Sequence, residues 1–126
     1  MLAAVAAVSV AVFVFPKGMS GEYKISSFIY DGTSLTKYAS GSYIKVRGTD
    51  NNKASEMYIK YDDMHSTLSG YIDTVAEYSN YTKYRFTVTG NYGNFIGKMD
   101  YFFIYYYPKG DYLRVELGNG EIRFKK

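Results

Sequence analysis

The densest set of side chains able to hold a metal or move a proton is Asp62-Asp63-Met64-His65. Two carboxylates and an imidazole can bind a divalent cation. On a strand, however, the adjacent Asp62 and Asp63 point to opposite faces, and acidic residues of this kind are common in a turn between strands. The turn reading is preferred, and no metal ligand is assigned. His65 is the single histidine of the chain, so a Ser-His-Asp triad has one base available. Neither Ser66 nor Asp63 stands in a nucleophile elbow, and Gly-x-Ser-x-Gly does not occur. The absence of cysteine removes disulfides, thiolate zinc sites, iron–sulfur clusters and cysteine nucleophiles. The expectation is a non-enzymatic protein with no catalytic residue and no cofactor.

Binding chemistry has more to work with. The chain carries 16 Tyr and 8 Phe with no Trp, a composition far from intrinsic disorder. So many tyrosines exceed what one interior of this size holds, so some must stand outside. An amphipathic ring there suits recognition of sugars, peptides or another subunit, and Tyr105, Tyr106 and Tyr107 are the candidate surface. The plainer alternative is cross-strand pairing within a sheet. Outward cations such as Lys45, Lys60, Arg85 and Arg114 beside tyrosines also resemble a single-strand nucleic-acid surface. Glu22, Glu56, Glu116 and Glu121 interleave with them, and a net charge of +3 is modest for a polyanion binder. That balance argues against nucleic acid. Gly90-Asn91-Tyr92-Gly93-Asn94 and Gly118-Asn119-Gly120 read as hairpin turns, since no helix follows to cradle a phosphate.

The elements that would position these groups begin after an unusual leader. Met1 to Phe15 contains no charge, and every Lys, Arg, Asp and Glu lies at or after Lys17. The profile fits the apolar core of a secretory signal or signal anchor, with residues 1–20 as that segment and residues 21–126 as one domain. As a helix the run spans about 22 Å, short of the ~30 Å bilayer core. The basic stretch usual ahead of such a run would have to lie upstream of Met1. The domain is accordingly expected outside the cytoplasmic membrane, secreted or membrane-anchored. Ser9 to Phe15 also alternates and is β-branched, which keeps open a strand that pairs with a neighbouring subunit in a structural or assembly module.

From Gly21 onward apolar residues recur with a period of two. Tyr84, Phe86 and Val88 alternate with Lys83, Arg85 and Thr87, and Leu113, Val115 and Leu117 with Tyr112, Arg114 and Glu116. Strands are expected at Glu22–Tyr30, Ser42–Gly48, Ser55–Tyr61, Thr67–Ile72, Thr82–Thr89, Asn94–Met99, Asp100–Tyr107, Tyr112–Leu117 and Glu121–Lys126. The stretch from His65 to Tyr81 reads as a strand running into a loop. The fold class is all-β, an antiparallel meander of about eight or nine strands closed as a barrel or folded as a β-sandwich.

Gly21-Glu22-Tyr23-Lys24-Ile25 resembles the first strand of lipocalin-like barrels, which open with Gly-x-Trp and an apolar alternation. The hairpin from Gly110 to Phe124 resembles the last two strands of small secreted bacterial lipocalin-like domains. Tyr23 replaces the family's Trp. The resemblance implies an up-and-down barrel, with Arg123 packed across Tyr23 as the closing pair, a contact that a guanidinium on a ring makes favourable. It also implies a small apolar ligand, which in a hollow barrel would meet Ile44, Val46, Met57, Ile59, Tyr84, Phe86 and Leu113. Their size favours a filled core over a usable cavity. The partner is then a small apolar ligand or a protein or glycan surface, with residues 1–15 offering a membrane contact.

Overall fold

The computed structural model describes residues 19–47 and 54–126. The apolar leader and the expected strand end at Gly48 lie outside these residues. Nine antiparallel strands follow in the order β1 (Gly21–Tyr30), β2 (Thr33–Ser34), β3 (Tyr43–Val46), β4 (Ser55–Tyr61), β5 (Met64–Glu77), β6 (Thr82–Gly93), β7 (Tyr101–Tyr107), β8 (Tyr112–Leu117) and β9 (Gly120–Lys125). Each pairs with its neighbour along the sheet, and β1 also pairs with β9, closing eight strands into a barrel. The short β2 folds back on the end of β1, and a single 3-10 turn (Thr36–Ala39) leads from it to β3. The barrel, rather than the sandwich, is the architecture. Closure leaves no wide second sheet to cover, and one ring of inward side chains makes the core.

The inward phase follows the alternation. Ile44, Val46, Met57, Ile59, Tyr84, Phe86 and Leu113 are all buried, with Ile104, Val115, Ile122 and Phe124 among them. Phe86 and Phe102 stack at 4.6 Å in the middle of this core. Three buried serines serve the backbone rather than chemistry. Ser42 Oγ accepts from Lys60 N at 2.9 Å, Ser55 Oγ accepts from Arg47 N at 2.9 Å, and Ser66 takes two donors described below.

Three register shifts among the described strands shape the barrel. In β1 the pairing to β9 shifts between Ile25 and Ser27, so Ser26 is an inserted residue. The bulge resets the phase, and Tyr23 below it and Phe28 above it both face inward. Between β5 and β6 the pairing shifts twice, with Thr89 inserted in β6 opposite Ser69 and Gly70 and Val75 inserted in β5 between Thr74 and Ala76. At Gly70, β5 presses against the backbone of β6.

Four expectations are corrected. Asn94–Met99 is not a strand, because Gly93 at φ 122° turns the chain and its backbone bonds go to side chains. His65–Tyr81 is one long strand to Glu77 and then a turn, since its hydroxyl-rich outer face pairs along all of β6. Tyr106 is not on the surface. Its place in β7, two residues beyond the inward Ile104, buries it at 6% exposure. Arg123 does not cross Tyr23. It lies between the inward Ile122 and Phe124, so it points outward, 5.6 Å from the Tyr112 ring and 3.1 Å from Glu121. Lys126, just past the end of β9, takes the place over Tyr23 at 5.4 Å, with its Nζ donating to Ser20 O at 2.7 Å.

Candidate ligand site at the barrel mouth

The turns β1–β2, β4–β5, β6–β7 and β8–β9 gather at one end of the barrel, and there the interior opens into a cavity of about 520 Å³. Each wall comes from a different element. Phe28 and Tyr30 reach it from the end of β1, Tyr61 from β4, Leu117 and Ile122 from the last hairpin, and Leu35 from the chain before the 3-10 turn. Phe95, Ile96 and Met99 come from the loop 94–100, which lies across the opening. The lining carries no charged group. Tyr61 organises the aromatic wall, stacked on Phe95 at 5.5 Å and meeting Phe28 edge-on at 6.4 Å.

The loop is held by hydrogen bonds and not by a ladder. The buried Ser66 Oγ accepts from Phe95 N at 3.0 Å and Ile96 N at 2.8 Å. Asn94 pairs with His65 in both directions, its N donating to His65 O and its Oδ1 accepting from His65 N. Asn91 Nδ2 donates to Gly97 O at 2.9 Å and Ile96 O at 3.3 Å. Two apolar side chains are thereby fixed over the opening from β5 and β6. The arrangement can bind an apolar body and exclude water from it.

Polar groups do not converge there. Asp62 and Asp63 form the β4–β5 turn, with Asp62 at φ 56°, and His65 lies on the outer face beside Tyr58. Among the described residues no three His, Asp or Glu gather in a way that could hold a metal ion.

The opposite end is closed by a different device. Tyr23 and Tyr106 both point inward, and their hydroxyls donate to the same Asp111 Oδ1 at 3.2 and 3.3 Å. Burial, then the nearby carboxylate, raises the pKa of both phenols, that of Tyr106 to about 12. An acid whose pKa is higher in the folded state than its usual value near 10 is neutral in both states below pH 10. Above that, the unfolded chain ionises first, so stability is lost as pH climbs from 10 to 12. Urea midpoints measured across this window are expected to fall, and Tyr106→Phe should make the fall shallower. An equal slope in the variant would remove Tyr106 from the account.

The sequence-predicted residues sort clearly. Ile44, Val46, Met57, Ile59, Tyr84, Phe86 and Leu113 form the packed interior, and none lines the cavity. Tyr105 and Tyr107 lie on the outer wall, half-buried among Tyr81, Tyr112 and Arg114, while Tyr106 faces the core. The cavity residues missed from the sequence had one signal: Phe95-Ile96 is an apolar pair inside a loop of Gly and Asn, and such a pair needs something to cover. Compared with protein-family models, with curated proteins and with solved structures, the chain finds no match.

Proposed function

We propose that this is an exported or membrane-tethered, non-enzymatic binding domain of lipocalin-like type that takes a small apolar ligand at the barrel mouth. The observation that carries the reading is the uncharged cavity of about 520 Å³ beneath the loop 94–100. Its volume falls within the roughly 300–1,000 Å³ range of small-molecule sites, and apolar walls of this kind suit such ligands. The uncharged sequence 1–15 supports export or tethering.

The test is a titration with an environment-sensitive hydrophobic dye, followed by displacement with fatty acids and, as a polar comparison, cell-wall glycans. Saturable dye binding displaced by the acyl chains is expected. Ile96→Trp, which fills the cavity from the loop, should weaken binding at least about tenfold, or 1.4 kcal/mol. Absence of saturable binding, or an unchanged affinity in the variant, would overturn the reading.

A further inference from the structure

The two ends of the barrel differ in charge and in aromatic surface. At the mouth stand Asp31, Asp62, Asp63 and Asp100, against Lys37, Lys60 and Lys98. At the closed end stand Arg47, Lys83, Lys109, Lys125 and Lys126. Among the acids at this end, Glu22 lies 3.9 Å from Lys45, Glu56 accepts from the Tyr43 hydroxyl, and Asp111 is turned into the two phenols. Glu77 is the further carboxylate there.

Tyrosines line one side of the wall toward that same end. Tyr107 and Tyr112 stack at 4.6 Å, Tyr81 lies against Tyr107 and Tyr105, and Tyr78 extends the row at 54% exposure. Lys83 stands 4.2 Å over Phe103, and Arg114 stands 4.2 Å over Tyr105. Rings with polar tips between cations are the side chains that favour the headgroup layer of a bilayer. The described chain also begins here, at Met19 and Ser20, so the uncharged sequence 1–15 is joined to the domain at this end and not at the mouth.

From these observations we infer that the closed, basic end, with the tyrosines of its β7–β8 side, docks on an anionic lipid bilayer, leaving the ligand mouth facing away from it. The inference rests on the tethered reading above and gives that reading an orientation. Each Lys or Arg held near an anionic leaflet contributes about fivefold to partition at low salt. Lys109 and Lys125 are exposed, and neither makes an ion pair among the described residues, so both can be changed without disturbing the barrel.

The experiment is partition of the full chain onto vesicles of phosphatidylcholine alone and of phosphatidylcholine with phosphatidylglycerol. The double variant Lys109→Gln/Lys125→Gln is expected to lose about 30-fold in partition onto the anionic vesicles at low salt, and nothing onto the neutral ones. Partition that ignores phosphatidylglycerol, or a double variant that binds it as the native chain does, overturns the docking. Anionic binding without neutral binding retains the docking but removes the tether. A single-stranded oligonucleotide that displaces the protein from anionic vesicles would assign the basic end to nucleic acid instead. Orientation is read by single tryptophans: emission of Tyr78→Trp should shift to shorter wavelength on anionic vesicles, and that of Tyr92→Trp at the mouth should not. The reverse pattern overturns the orientation.

Discussion

Ser66→Ala is expected to release the loop over the cavity and to lower both ligand affinity and stability. The hydroxyl accepts from Phe95 N and Ile96 N inside the barrel, where no exposure remains to Ser66. Removing the acceptor while keeping both donors costs about 1–3 kcal/mol for each N–H that stays buried. The loss is therefore about 2–6 kcal/mol if the loop holds its place, and less if it swings out to water. Either outcome takes the acceptor from Phe95 N and Ile96 N, so hydrogen exchange at these two amides should accelerate and dye binding should weaken. Unchanged protection at both amides would mean that the loop is held by Asn91 and Asn94 alone.

The second large effect is expected at Gly70. A Cβ there would stand 1.9 Å from Thr87 O and 2.9 Å from Thr87 C, with the Phe86 ring at 2.8 Å. The ring could turn, but the carbonyl could not. Thr87 belongs to the ladder with Tyr71 on one side and Tyr101 on the other, so relief means parting strands. Gly70→Ala should cost more than about 3 kcal/mol, beyond the usual range for an overpacked side chain. Gly97→Ala meets nothing within 4 Å and needs no positive φ, which makes it the matched control. Urea unfolding of the two variants decides the matter. A Gly70→Ala protein within about 1 kcal/mol of the native one would show that the strand can bend elsewhere.

What the sequence made legible follows from contrast between neighbouring residues. β4 and β8 have the bounds their alternation predicted, Ser55–Tyr61 and Tyr112–Leu117, because apolar and polar residues strictly interchange there. The antiparallel meander was legible from the even spacing of strands and turns, which left barrel and sandwich both open; the pairing of β1 with β9 decides for the barrel. Tyr105-Tyr106-Tyr107 offers no such contrast, and its phase is set only by continuity with Phe102 and Ile104. The pairing of Tyr23 was hidden for another reason. Arg123 was expected across the ring, but strand parity sends it outward, and Lys126 stands there instead.

The cavity was the least legible part. Its walls come from β1, β4, the last hairpin and a loop distant from each in sequence, and no periodicity links them. Large side chains were expected to fill the interior in place of a usable cavity; they pack the barrel, yet a volume of about 520 Å³ stays open at the mouth. The open volume lies above that packing, where Ser66 and Asn94 convert what reads as a strand into a cover.

The seam between β1 and β9 carries a consequence for how the chain becomes a barrel. Lys24 meets Lys125 and Tyr30 meets Gly120, so the ring is joined by the first and last strands of the domain. Contacts of such long sequence separation form slowly, after their loop-closure entropy has been met. During synthesis from the N-terminal side, β1 waits for β9, and the ring stays open until nearly the whole domain has emerged. An unclosed chain can still be threaded through a narrow channel, whereas a closed ring cannot. The same seam that completes the barrel thus delays its completion, leaving an interval in which the chain can still be threaded through a narrow channel.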